Sequence, residues 1–116
     1  MTPTARTLQE LRRDGYTAGV VEQWIPRVNI RRDLFGVGDV LAVRSGEGPL
    51  LIQCTSGAHH ANRIAKAKSE IRLRAWFGSG SRFEVWSWAK RKNRWVVRKT
   101  PLAMRDIDAG MEVIPT

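Results

Sequence analysis

Thiol, phenol and imidazole side chains are scarce in this chain, which has one cysteine, one tyrosine and two histidines among 116 residues. A lone Cys54 excludes an internal disulfide and a thiolate zinc cluster. His59 and His60 are adjacent with no third ligand near them, and a solvated helix end is the expected place for both. No run approaches the roughly 18 consecutive apolar residues of a membrane helix. The opening segment MTPTARTLQELRR lacks the apolar stretch of a secretion signal. A soluble, cytoplasmic protein with no membrane partner is therefore expected. The stretch from Asp33 to Asp39 lacks the Gly-Lys-Ser/Thr ending of a phosphate-binding loop, and no small-molecule cofactor is expected. Acidic residues are also few, 11 against 20 Lys and Arg.

That imbalance leaves a formal charge of +9. A 42% hydrophobic fraction with five Trp supplies one packed core, which excludes a disordered basic tail. Fifteen of the basic residues are Arg, whose planar fork holds phosphate oxygens in pairs. They gather at Arg27, Arg31 and Arg32, at Arg63, Lys66 and Lys68, and at Lys90, Arg91, Lys92 and Arg94. Several elements contributing to one cationic surface are expected, with nucleic acid as first partner; an acidic protein and an anionic membrane face are the alternatives.

The apolar pattern predicts one domain over residues 1–100 and a peripheral tail over 101–116. A helix is expected over Thr4–Arg13, with Thr4 as cap and Asp14-Gly15 as stop. A strand over Ala18–Ile25 precedes Pro26. Val37–Val43 and Leu50–Thr55 read as a central hairpin. Ala58–Trp76 has helical periodicity with Ser56 as its cap, and Phe83–Ala89 and Trp95–Lys99 read as strands ending at Pro101. The result is an α/β fold running helix, three strands, helix, two strands, with a small mixed sheet flanked by helices.

Two polar residues interrupt the most apolar strands. Asp39 lies in Gly38-Asp39-Val40-Leu41, and Gln53 in Leu51-Ile52-Gln53-Cys54-Thr55. A carboxylate in a central strand is costly without a cation or several donors. A register that sets Asp39 beside Gln53 converges a carboxylate and an amide oxygen on one point, which suits Mg²⁺. The alternative is an exposed or Arg-paired Asp and a Gln tied to backbone. Cys54 points to the opposite face as a small buried hydrophobe. Trp86 and Trp88 share a face, either in the core or stacked on unpaired bases.

The residues Gly38-Asp39, the turn, and Gln53-Cys54-Thr55-Ser56 together resemble the PD-(D/E)XK nuclease core, especially archaeal-type Holliday junction resolvases and related phage nucleases. The resemblance spans about residues 6 to 99. Leu11-Arg12-Arg13-Asp14-Gly15-Tyr16 matches the family's passage from helix to strand, Gly38-Asp39 takes the place of Pro-Asp, and Gln53-x-Thr55 that of Glu-x-Lys. It implies a restriction-endonuclease-like fold, a Mg²⁺ (or Mn²⁺) ion held by Asp39 and Gln53, hydrolysis of DNA phosphodiesters with branched DNA as first substrate, and a homodimer. It implies a host-cytoplasm location if the chain is phage-encoded. The implied catalytic set is Asp39, Gln53, Thr55 and Lys66, with Arg31, Arg32, Arg63 and Lys66 on nucleic acid. Thr55 lacks the charge of the family's lysine, so Lys66 or Arg63 from the following helix stands in for it. Glu22 and Asp33 are candidates for the missing supplementary acid. A non-catalytic nucleic-acid-binding module that lost acid and lysine is the rival reading, and a protein-binding role for the tryptophans the third.

Overall fold

The computed structural model describes residues 1–28 and 30–108, with the backbone alone for Ile30 and Arg31. Helix α1 spans Pro3–Arg13. Thr2, rather than Thr4, is its cap: the Thr2 Oγ1 accepts the Ala5 N–H at 3.1 Å, and Pro3 then occupies a position that needs no N–H donor. Gly15, at φ +90°, takes the left-handed conformation that releases the chain.

Strands β1 (Thr17–Val20), β4 (Val40–Val43), β5 (Leu50–Ser56), β6 (Arg82–Arg91) and β7 (Arg94–Leu102) form one sheet in the order β1-β4-β5-β6-β7. Strands β2 (Gln23–Ile25) and β3 (Ile30–Arg32) form a separate antiparallel ribbon. Strands β5 and β6 run parallel, which requires the crossover carrying α2 (His60–Lys68) and α3 (Arg72–Gly78). The other neighbours in the large sheet are antiparallel. The protein is thus an α/β domain with a mixed sheet flanked by helices.

Both faces of the sheet are covered. On one, Leu11 of α1 packs with Val40, Ala42, Leu50, Ile52, Cys54, Trp86 and Trp88. On the other, Ala67 of α2 and Leu73 of α3 pack with Leu51, Phe83 and Val85. This two-sided burial explains why β5 is apolar almost throughout, and why Leu50 to Thr55 are all buried. Trp86 and Trp88 are core residues, 3% and 8% exposed, and stacking on bases is excluded for them in this fold. The Trp88 indole N–H donates to Thr7 Oγ1 at 2.9 Å.

Four boundaries differ from the sequence expectation, each for a local reason. The run Ala18–Ile25 splits into β1 and β2, because its partner β4 begins at Val40 and Val21 has only the Asp39 carbonyl left to bond. The run Val37–Val43 shortens to β4, since Leu34 and Gly38 close a tight loop before it. The helix expected over Ala58–Trp76 breaks after Lys68. Ser69 folds back on the Lys66 carbonyl, and the Glu70 carboxylate accepts the Arg72 backbone N–H at 3.0 Å, starting α3 afresh. Pro101 lies inside β7 rather than ending it, which an outer strand tolerates. Packing also continues past Pro101 to Ile107, 4% exposed, whereas residues 109–116 of the expected tail lie outside the described residues.

One glycine fixes where the chain enters β4. A Cβ on Gly38 would lie 2.3 Å from Leu51 Cγ, and Leu51 is fully buried and cannot retreat. Only a bare backbone passes over Leu51 and delivers Asp39 to the sheet. Gly38→Ala is expected to lower unfolding stability by about 1–3 kcal/mol through overpacking. A reduced urea midpoint at unchanged slope checks it.

Candidate active site

Asp39 is the residue before β4. Its backbone N–H donates to the Ile52 carbonyl at 3.0 Å, and the β4–β5 register places it opposite Gln53. Strand alternation then puts Asp39, Gln53 and Thr55 on the sheet face covered by α2 and α3, and Cys54 on the α1 face. Cys54 is buried and free, as its alternation requires, and burial pushes its thiol pKa up.

The Asp39 carboxylate is only 8% exposed. Its Oδ1 accepts the Cys54 backbone N–H at 3.1 Å, and its Oδ2 accepts from Gln53 Nε2 at 3.4 Å. The same Nε2 lies 3.4 Å from the Cys54 carbonyl. Gln53 Oε1, buried with its residue at 4% exposure, has no hydrogen-bond partner among the described residues. Burial is the main force raising the Asp39 pKa to about 6. Cys54 opposes it, through its thiol first and then its backbone N–H, and the negative charges of Asp33 and Glu22 add to it.

These two acids come from different segments: Glu22 lies between β1 and β2, and Asp33 just after β3. Burial raises the Asp33 pKa first, Glu22 raises it further, and Lys66 and Arg63 of α2 draw it down. Five ionisable side chains therefore share one neighbourhood, three acids below and two bases on the helix above. Arg63 is half-buried, and its Nε has no partner among the described residues; Lys66 is exposed. Thr55 is buried at 6% exposure, two residues along β5 from Gln53. Arg32 is exposed and lines an open groove of about 470 Å³ with Gln23, Asp33, Phe35 and Arg72. The side chain of Arg31 lies outside the described residues.

His60 departs from the solvated helix end expected for it. It is 2% exposed, with Nδ1 2.6 Å from Ser87 Oγ and Nε2 2.7 Å from Thr100 Oγ1. Burial, and then the charge of Arg98, lowers its pKa. His60 therefore pins the start of α2 to β6 and β7 as a neutral ring. His59 remains exposed, and Ser56 makes no side-chain capping bond.

Among the described residues, no three of His, Cys, Asp and Glu converge as a metal-ligand set. What the site offers instead is one carboxylate, one orphaned amide oxygen and nearby acids, all hard oxygen donors. Two protein oxygens fit a cation that keeps most of its waters, as Mg²⁺ does. No protein-family model, no curated protein and no solved structure matches the chain.

Asp39 carries a stability signature with a definite sign. An acid whose pKa is raised on folding binds more protons in the native than in the unfolded state between the two values, so stability falls as pH rises through that window. From an unperturbed 3.8 to about 6, wild-type stability is expected to decline and then level off. Asp39→Asn retains the Cys54 N–H bond and removes the charge. It is expected to flatten this decline and to be the more stable protein at pH 7.5. Urea midpoints at pH 4, 5, 6 and 7.5 for both proteins check it.

Proposed function

We propose that this protein is a metal-dependent DNA endonuclease of the PD-(D/E)XK kind, with its reaction centre at Asp39 and Gln53. The observation that carries the reading is a buried carboxylate beside a buried amide oxygen with no partner, under a helix bearing Arg63 and Lys66. A protein built only for stability has little reason to keep a charge and an unpaired acceptor together in its core. The order of the sheet elements supports the restriction-endonuclease-like assignment: helix, three antiparallel strands, a helical crossover, then a parallel strand.

Asp39 Oδ2 and Gln53 Oε1 would hold the Mg²⁺ or Mn²⁺ ion once the amide turns over, since its Nε2 now faces the carboxylate. Bound there, the ion supplies Lewis acidity toward a phosphate oxygen and a more acidic water. Asp39 must be ionised to bind it, so loading weakens as pH falls below about 6. Lys66 and Arg63 neutralise charge on the phosphate, in place of the cation that Thr55 lacks. Asp33 and Glu22 would add negative charge beside the ion. Arg32 contacts a flanking phosphate, and Arg31 is carried in the same contact by resemblance alone. A four-way junction is the substrate to test first, and a homodimer the expected assembly, both by resemblance.

The rival reading, a non-catalytic nucleic-acid-binding module, is favoured by one feature. Gln53 Nε2 satisfies the Asp39 carboxylate from within, without any ion.

Cleavage assays on junction and linear duplex DNA in Mg²⁺ or Mn²⁺ separate the two. Asp39→Ala is expected to abolish cutting while retaining binding, and Lys66→Ala to lower the rate by about 10²-fold, as loss of one charge-stabilising donor does. Tight, salt-sensitive binding by a native protein that never cuts would establish the rival. Metal loading has its own readout: Mg²⁺ is expected to raise the melting temperature by a few degrees at pH 7.5 in wild type and not in Asp39→Asn. Its apparent affinity should be about ten-fold weaker at pH 5, where about one-tenth of Asp39 is ionised.

A further inference from the structure

Strand β6 outruns its neighbour β5. Ser56, the last residue of β5, pairs with Trp88, and β6 continues through Ala89, Lys90 and Arg91 before turning into β7. The turn residues Lys92 and Asn93 both have positive φ, 49° and 64°, the conformation of a tight two-residue hairpin turn. A two-stranded ribbon therefore projects beyond the carboxyl end of β5. Gln53 lies midway along β5, three residues before Ser56.

Alternation identifies what this ribbon presents toward the site. Gln53 pairs with Val85, so Ser87, Ala89 and Arg91 follow on the Gln53 face of β6. Their partners in β7 are Arg98, Val96 and Arg94. Three exposed arginines, Arg91, Arg94 and Arg98, thus lie on the sheet face that carries Asp39 and Gln53. Arg91 and Arg94 sit directly opposite each other, an arrangement that is unfavourable for like charges in an isolated protein. Among the described residues, none of the three makes an ion pair with an acid. Arg91 and Arg98, with Lys90 and Ser87, also line an open groove of about 480 Å³ that reaches Gly57 at the end of β5.

We propose that this ribbon is a second nucleic-acid contact: Arg91 and Arg94 near its tip and Arg98 nearer its root bind backbone phosphates of the DNA duplex whose bond lies at Asp39–Gln53. The inference rests on the nucleic-acid reading above and extends it to residues outside the cleavage centre. The occupant follows from charge: three exposed guanidinium groups on one face, two of them a cross-strand pair and the third four residues along β7, match a polyanion that carries a phosphate at every step. Reach agrees with this. Arg91 lies six residues along β6 from Val85, roughly 20 Å, on the order of six nucleotides of one strand.

The test measures binding apart from cutting. Labelled duplex DNA is titrated in EDTA against Asp39→Ala protein, alone and combined with Arg91→Gln, Arg94→Gln and Arg98→Gln. The ribbon variant is expected to bind about 10- to 100-fold more weakly at 0.1 M salt, with the log–log salt slope shallower by about two to three. A charge-matched control with Arg13→Gln, Arg74→Gln and Arg105→Gln should lose less than three-fold. Replacing the ribbon arginines by Lys should restore the slope to within about one, which separates charge from folding. Equal losses in ribbon and control variants, or an unchanged slope in the ribbon variant, would overturn the inference even if the protein cuts DNA. Selective loss in the ribbon variant supports it even if the native protein proves unable to cut.

Discussion

A carboxylate kept out of water next to an unsatisfied amide is the constraint around which this molecule is arranged. Asp39 occupies a position in the sheet where an aliphatic side chain would pack without electrostatic cost, and one backbone N–H plus one weak amide contact do not offset the loss of solvent. Its neighbours make matters worse rather than better, since Asp33 and Glu22 add repulsion while Arg63 and Lys66 act on Asp33. Such an arrangement persists only because the rest of the fold determines it. Gly38 sets the path of the chain over Leu51, and the β4–β5 register sets Asp39 against Gln53. The helices on both faces then remove the escape to water.

Much of this was legible before any coordinates. Two polar residues stand out in two otherwise apolar strands, and simple alternation assigns Cys54 to the opposite side. The course of helix, strands, crossover and strands also follows from periodicity. What escaped the sequence has identifiable causes. The division of β1 from β2 depends on where a distant strand begins, which no local pattern encodes. The break at Ser69 arises from side chains of Ser69 and Glu70 capturing backbone groups, in a segment whose apolar spacing reads as one helix. His60 looked like a solvent-facing residue because its two hydroxyl partners, Ser87 and Thr100, lie 27 and 40 positions away.

The site residues divide in the same way. Asp39 and Gln53 were visible as interruptions of apolar runs. Asp33 and Glu22 were visible only as acids in a basic chain, and their closeness to Asp39 depends on the β2–β3 ribbon folding out of the main sheet. The arginines of the β6–β7 ribbon stood out as a cluster of charge. Their common face with Gln53 becomes readable once the parallel β5–β6 register is known, because every position along β6 and β7 is then fixed by counting in twos.

The buried imidazole of His60 ties these parts together mechanically. It bridges a hydroxyl on β6 and one on β7, at the root of the projecting hairpin, and it opens the helix that bears Arg63 and Lys66. The outlying fork and the cationic rod over the sheet are thereby riveted to one another at a single buried ring, through two short bonds.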